Sequence, residues 1–267
     1  MNIKVSNQEE IKEILEYIGA DYKAIPYMYV NVIKYGMGSE NVHTFIDRSS
    51  DGAINGVYLV YYDCIHFYTR DTENYPLAVF MDFVSETPHR VIMLQKQFGD
   101  RLGDLEDSYY IENNHVIDMD KVGLDDMDFK STVAGREDIA QIVELLIADP
   151  EYVSVYDKKV LSDQLYDRYD GNFSRFFVVK MDGKVVATCS TYGEVDGFAI
   201  LGGVIVHPDY RRRGLAKDVE NYACHLMASE GVSRVGFVNF NNTPSLALHE
   251  KLGACRIAAL TKLVKKI

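Results

Sequence analysis

A mixed α/β fold, built twice along one chain, is what the sequence predicts, and three observations point there. The length of 267 residues allows two domains of ordinary size. A strand-to-helix pattern near the start returns about half-way along the chain. Local antiparallel hairpins then mix with amphipathic helices, the order expected of an open mixed sheet rather than an all-parallel one. With 47 % hydrophobic and 25 % charged residues the chain has the composition of a folded globular protein.

The repeat is specific. Val5 is followed by Glu9-Glu10-Ile11-Lys12-Glu13-Ile14-Leu15-Glu16, and Val133 by Glu137-Asp138-Ile139-Ala140-Gln141-Ile142-Val143-Glu144, a constant offset of 128 residues. In both stretches the acidic pair falls in the first helical turn, where it complements the helix dipole, and apolar residues recur at helical spacing. A fixed offset marks a duplicated unit, so the expected domains are residues 1–127 and 128–267.

After the first helix, Gly36-Met37-Gly38-Ser39 breaks the chain. Segments 44–46, 57–62 and 64–68 then read as strands of a meander. Residues 90–99 fit a strand or a helix, because a short apolar run does not decide between them. Residues 118–130, with Asp118, Asp120, Asp125, Asp126 and Asp128, read as a solvated linker without the ordered ligand spacing of a calcium loop. In the second half a helix over 137–148 is followed by Asp149-Pro150, a helix over 160–169 and a strand over 176–180. A hairpin turn at Asp182-Gly183 leads to a strand over 185–192. A strand over 197–206 is stopped by Pro208, a helix spans 214–229, a last strand 235–240, and a short helix 245–252 is closed by Gly253.

Charge and cysteine use exclude several classes. Residues 1–130 carry 11 Lys+Arg against 23 Asp+Glu, a net of −12, while residues 131–267 carry 17 of each, a net of 0. An acidic half without a basic cluster argues against a nucleic-acid partner, whose phosphates need Lys and Arg; it fits a cationic substrate or partner, and equally a solvated acidic face that keeps the protein soluble. Cys64, Cys189, Cys224 and Cys255 form no C-x-x-C pair, so reduced core thiols are expected rather than a zinc site or a disulfide framework. No metal is expected. The chain lacks a long apolar run and an apolar leader, which points to a cytoplasmic protein with no membrane partner, either monomeric or homodimeric.

One stretch carries chemistry: Val204-Ile205-Val206-His207-Pro208-Asp209-Tyr210-Arg211-Arg212-Arg213-Gly214-Leu215-Ala216. An apolar strand ends at Pro208, the chain turns, and a glycine with a small residue two further on opens a helix. The unpaired amides of such a helix start and its dipole form an anion cradle. The phosphate loop G-x-x-x-x-G-K-[ST] and the dinucleotide fingerprint G-x-G-x-x-G are both absent, which disfavours nucleotide hydrolases and dehydrogenases.

The R-x-x-G-x-A pattern at Arg211, Gly214 and Ala216 is followed by N-x-x-S-x-x-x-H-E-K-L-G from Asn242. Together they resemble the acetyl-CoA site of the GCN5-related N-acetyltransferase (GNAT) superfamily over residues 130–260. The resemblance implies tandem acetyltransferase-like domains, the second a full GNAT fold and the first a degenerate copy without the cradle. It implies acetyl-CoA as co-substrate and a primary amine, on a small molecule or peptide, as acceptor. The backbone of Val204, Ile205 and Val206 would pair with the pantetheine arm. The amides from Arg212 through Arg213, Gly214, Leu215 and Ala216 to Lys217 would hold the pyrophosphate, and Asn242 and Ser245 would lie along the arm. Seven residues after Asn242 the family commonly places a tyrosine that protonates the departing thiolate; here His249 stands there. A histidine can supply a proton near neutral pH. Glu194, beside Gly193 in the turn before the strand that ends at Val206, is the expected base, with Asp196 next; apolar Ala199 and Ile200 stand where the family usually has a glutamate, which leaves a water chain as the alternative to a direct base. Tyr192, Tyr210 and Tyr222 are the other candidate acids, each also explained as a packing residue. An acyl-CoA-binding regulatory module and a tandem aminoacyl transferase are the alternatives, the latter disfavoured by the acidic first half.

Overall fold

The computed structural model describes residues 2–103, 105–123, 128–195 and 197–266, packed as two compact units. The first unit opens with β1 (Asn2–Lys4), α1 (Gln8–Ile18) and α2 (Pro26–Tyr35). Asn7 caps α1 by accepting the Glu10 amide at 3.0 Å, and the helix buries Ile11, Ile14 and Ile18, the stripe that its periodicity predicts. The expected meander follows as β2 (Val42–Arg48), β3 (Ile54–Tyr61) and β4 (Cys64–Tyr68). Next come α3 (Leu77–Glu86), β5 (Val91–Gln95), α4 (Lys96–Gly99) and β6 (Tyr109–Asp118). The undecided segment 90–99 is thus a strand that runs into a single helical turn. An aromatic core holds this unit together, with ring centroids of Tyr58 and Phe83 at 4.1 Å and of Phe67 and Phe98 at 4.8 Å.

The second unit has β7 (Thr132–Val133), α5 (Ile139–Ile147), α6 (Pro150–Val155), α7 (Lys158–Asp170), β8 (Phe176–Met181), β9 (Lys184–Val195), β10 (Phe198–Val206), α8 (Leu215–Ser229), β11 (Ser233–Asn239) and α9 (Thr243–Lys251). Asp149-Pro150 was expected only to interrupt the helices, yet Pro150 starts α6, a first-turn position where its missing N–H costs nothing. Asp182 and Gly183 make the β8–β9 turn with φ of 51° and 76°, the left-handed pair of a two-residue hairpin. Ile139, Ile142, Val143 and Leu146 of α5 pack with Leu161 and Leu165 of α7 against Phe176, Val178 and Ile205 of the sheet.

The duplication is visible in the pairing. In the first unit β1–β2, β2–β3 and β3–β4 are antiparallel and β4–β5 is parallel. In the second, β7–β8, β8–β9 and β9–β10 are antiparallel and β10–β11 is parallel. The units do not divide the chain at one point. The final strand, β12 (Cys255–Lys265), pairs antiparallel with β5, Leu260 opposite Gln95, so residues from Arg256 onward pack with the first unit. Its sheet order is β1-β2-β3-β4-β5-β12-β6.

Two expectations need correction. Residues 118–123 are not a solvated linker: Met119 is 1 % exposed and Val122 is fully buried. The Asp120 carboxylate accepts from the Arg234 amide at 2.7 Å and from Ser233 Oγ at 2.9 Å. Asp125, Asp126 and the boundary at residue 127 lie outside the described residues. The four cysteines are free, but only Cys189 and Cys224 are buried, and Cys255 is exposed.

Candidate active site

The site grows from a defect in the sheet. Among the described residues, β10 pairs with β11 only over Phe198–Ile200 and Ser233–Val235. On its other side β10 loses regular register with β9 at Ile200/Leu201 and again between Gly202 and Ile205. Bulges bend a strand and leave residues unpaired, so the second half of β10 leaves β11, and Val204 is 36 % exposed. The first unit shows the opposite. There β4 and β5 pair continuously from Cys64 to Phe67, and Gln95 Oε1 accepts the Thr69 amide at 3.1 Å, holding the strand ends together.

Beyond β10, Pro208–Tyr210 make one 3-10 turn capped by His207. The Arg211 Nε returns to the Val206 carbonyl at 3.1 Å, and the Arg213 guanidinium donates to the Asp209 carbonyl at 3.2 Å while lying over the Tyr210 ring. Arg212 and Gly214 both adopt left-handed backbone, with φ of 61° and 77°. A Cβ on Gly214 would find nothing within 4 Å, so the space beside the residue that opens α8 is clear. Leu215 is buried and anchors the turn, whereas Arg211, Arg212, Arg213 and Lys217 are exposed. The strand end, the arginines and the helix start that the sequence singles out therefore lie together, with exposed positive side chains beside the N-terminus of α8, an arrangement of the kind that can hold an anion.

The expected catalytic residues fare differently. Glu194 is no free base: it lies at the end of β9, and its oxygens accept from Arg175 Nε at 2.9 and 3.0 Å and from Thr191 Oγ1 at 2.8 Å. Arg175 also holds Glu230, and these two carboxylates push its pKa upward against the opposing effect of burial. Glu194→Gln is accordingly expected to lower stability by about 1–3 kcal/mol, the scale of charge-assisted hydrogen bonds, and to leave turnover per folded molecule within about twofold. Thermal melts and rates on the same samples check this. Asp196 lies outside the described residues. Tyr222 packs edge-on to Phe177 and Phe129, and Tyr210 packs against His207. Asn242 closes the turn after β11, donating to the Asn239 carbonyl at 2.9 Å, and packs with the first unit.

His249 and Ser245 share the inner side of α9. His249 Nδ1 lies 2.8 Å from the Ser245 carbonyl and 3.3 Å from its Oγ, while Nε2 lies 2.6 Å from Glu220 Oε1 on α8. The His249 and Glu220 side chains are only 12 % and 7 % exposed. Burial alone would lower the histidine pKa, but the hydrogen bond and charge of Glu220, with the Ser245 carbonyl, outweigh it and raise the pKa above the ordinary 6.5. Glu220 escaped the sequence reading. Its signal was there: a carboxylate beside Val219 on the buried stripe that continues through Ala223, Cys224 and Met227, a place where a charge demands a partner. Among the described residues, no group of three or more His, Cys, Asp and Glu side chains is placed to share a metal ion, and no helix is long and apolar enough to cross a membrane.

Comparison with known proteins agrees with this geometry. Residues 139–254 match the model of the acetyltransferase (GNAT) family, while no curated protein sequence matches the chain. The fold is similar to that of a Drosophila protein, with TM-score 0.71, 14 % identity and coverage of 100 % of this chain and 99 % of that one. It is also similar to a tandem GNAT protein from the clavulanic acid biosynthesis pathway, with TM-score 0.61, 12 % identity and coverage of 99 % and 98 %. A GCN5-related N-acetyltransferase-like protein from Streptococcus suis gives TM-score 0.61 at 16 % identity, with coverage of 97 % and 99 %. With units of the same strand order, and a parted strand pair beside a helix start in the second, the geometry accords with what the comparison finds: residues 139–254 match the acetyltransferase (GNAT) family, and the fold of the whole chain is that of the GNAT proteins it resembles.

Proposed function

We propose that this protein transfers an acetyl group from acetyl-CoA to a primary amine carried by a small molecule, an amino acid or a peptide. The observation that carries the reading is the parting of β10 from β11 beside a helix start with left-handed Gly214 and three exposed arginines. The free edge from Val204 to Val206 suits an extended polar chain that adds as a strand. The amides from Arg212 to Lys217 suit a pyrophosphate, with the positive end of α8 and Arg211, Arg212 and Arg213 supplying charge. The net charge of −12 over residues 1–130 supports a cationic acceptor.

A neutral amine attacks the thioester carbonyl; the carbon–nitrogen bond forms, the carbon–sulfur bond breaks, and the thiolate takes a proton. His249 is the proposed source of that proton, because Glu220 at 2.6 Å favours its protonated form and raises its pKa above the ordinary 6.5. Ser245 Oγ, 3.3 Å from Nδ1, is the hydroxyl that can hand it on. One observation favours a second reading, an acyl-CoA-binding module without turnover: Arg175 locks the carboxylate of Glu194. Thiol release from acetyl-CoA over a panel of amines, amino acids and peptides separates the two. Release that depends on an amine is expected, and binding without release would sink the transferase reading.

A further inference from the structure

Strand β9 presents Thr188, Ser190 and Tyr192 on one face, two residues apart. Thr188 and Ser190 stand opposite Val178 and Phe176 of β8, which belong to the core under α5 and α7, so the row faces that helical layer. Thr188 is fully buried, Ser190 is 2 % exposed, and among the described residues neither hydroxyl has a hydrogen-bond partner. Buried hydroxyls are nearly always satisfied. In a residue that only packs, alanine or valine would be the cheaper choice.

What faces the row is the bulge of β10. Gly202 pairs with Ser190 and Ile205 with Thr188, so three steps on β10 span two on β9. Gly203, inside the bulge, has φ of +65°. A Cβ built on it would stand 3.1 Å from Tyr192 Oη, 3.4 Å from Tyr152 Oη and 3.6 Å from Ser190 Oγ. Three hydroxyls, two from β9 and one from α6, therefore converge on the bare side of the strand that parts from β11. The two phenols are themselves joined by an O–H···O hydrogen bond. Burial, reinforced by Tyr152, holds the Tyr192 phenol well above its ordinary pKa of 10, so it stays uncharged. Arg175 has already taken the Glu194 carboxylate that was expected to act as a base.

We propose that Ser190, Tyr192 and Tyr152 are the proton exit for the acceptor amine: Ser190 Oγ accepts an N–H of the attacking nitrogen, and the hydroxyl chain passes a proton outward. The inference rests on the transferase reading given above. As the carbon–nitrogen bond forms, the nitrogen's proton moves to Ser190 Oγ; the serine's own proton crosses to Tyr192 Oη through one bridging water, which spans the gap between these two hydroxyls, not bonded to each other. That of Tyr192 passes to Tyr152 Oη, to which it is hydrogen-bonded, and that of Tyr152 to water. Every hydroxyl ends with one proton, and no phenolate forms. The three hydroxyls are neutral hydrogen-bonding groups, so they take the reacting nitrogen in its neutral form.

The test uses the full chain with acetyl-CoA and hydroxylamine, a small amine that is uncharged at neutral pH, with thiol release as readout. Ser190→Ala and Tyr152→Phe are each expected to lower kcat roughly 10²-fold, the lower range for a lost proton-transfer group, with acetyl-CoA affinity by calorimetry unchanged. Ser190→Thr, which keeps a hydroxyl, should retain most of the rate. The melting temperature of Ser190→Ala should hold or rise, because the variant removes an unsatisfied hydroxyl. A wild-type solvent deuterium effect on kcat that curves with deuterium fraction should become linear in Tyr152→Phe. Rates within about twofold of wild type in both variants, or losses that follow a fall in melting temperature, would overturn the relay alone. Wild-type protein that binds acetyl-CoA yet releases no thiol overturns the transferase reading and the relay with it.

Discussion

Replacing Gly214 by glutamate is expected to abolish acetyl-CoA binding, weakening it more than about 10²-fold, while leaving the fold in place. At φ of 77° the position favours glycine, and an ordinary residue there costs roughly 1–2 kcal/mol. Nothing in the protein stands within 4 Å of the added Cβ, so the loss comes from filling the cradle and from a negative charge set where a pyrophosphate must sit. The two causes separate. Gly214→Asn tolerates the left-handed backbone and carries no charge, so it should keep most of the affinity, and Gly214→Ala should fall between. Calorimetry should find one equivalent of acetyl-CoA per wild-type chain, because the parallel pair β4–β5 stays joined where β10–β11 parts. Unchanged affinity in Gly214→Glu would place the cofactor elsewhere, and a second equivalent would refute the closure of the first copy.

The cradle was legible because its signal is local: a proline that ends a strand, then an arginine run, a glycine and a small residue, all within thirteen positions. The duplication was legible for the same reason, since both copies open with an acidic first turn and an apolar stripe. Long-range pairing was not. β6 and β12 went unread, and β12 crosses to the first unit's sheet, where Thr261 Oγ1 donates to Asn113 Oδ1 across 148 residues of sequence. Nothing within the segment 255–265 states that partner. The fate of Glu194 was hidden likewise, because a carboxylate that looks solvated beside Gly193 becomes an ion-pair member once Arg175 lies across the sheet. Such side-chain pairings belong to the tertiary fold and not to local pattern, which is why the turn and helix start after β10 were readable and the partners of Glu194 and His249 were not.

Removing either member of the His249–Glu220 pair should cost stability and rate together, and a double variant can divide them. The side chains are 12 % and 7 % exposed, so Glu220→Leu leaves a buried imidazole without its carboxylate, and His249→Leu leaves a buried carboxylate alone. Each is expected to cost about 3 kcal/mol, the lower end for breaking a buried pair. Replacing both by leucine removes the unpaired groups and should restore most of the stability. The pH dependence has a fixed sign. Because the folded histidine binds its proton above pKa 6.5, its contribution is complete below about 6.5 and is lost as pH rises through the raised native value. The wild-type melting temperature should therefore fall over that interval, and the fall should be smaller in Glu220→Gln. For catalysis, His249→Ala is expected to lower kcat roughly 10²-fold with little change in acetyl-CoA affinity. Ser245→Ala should follow it if the serine hands on the proton, and His249→Tyr should recover part of the rate. The double leucine variant then decides. A merely structural histidine predicts normal turnover once stability returns, whereas a proton source predicts a stable protein that is still slow.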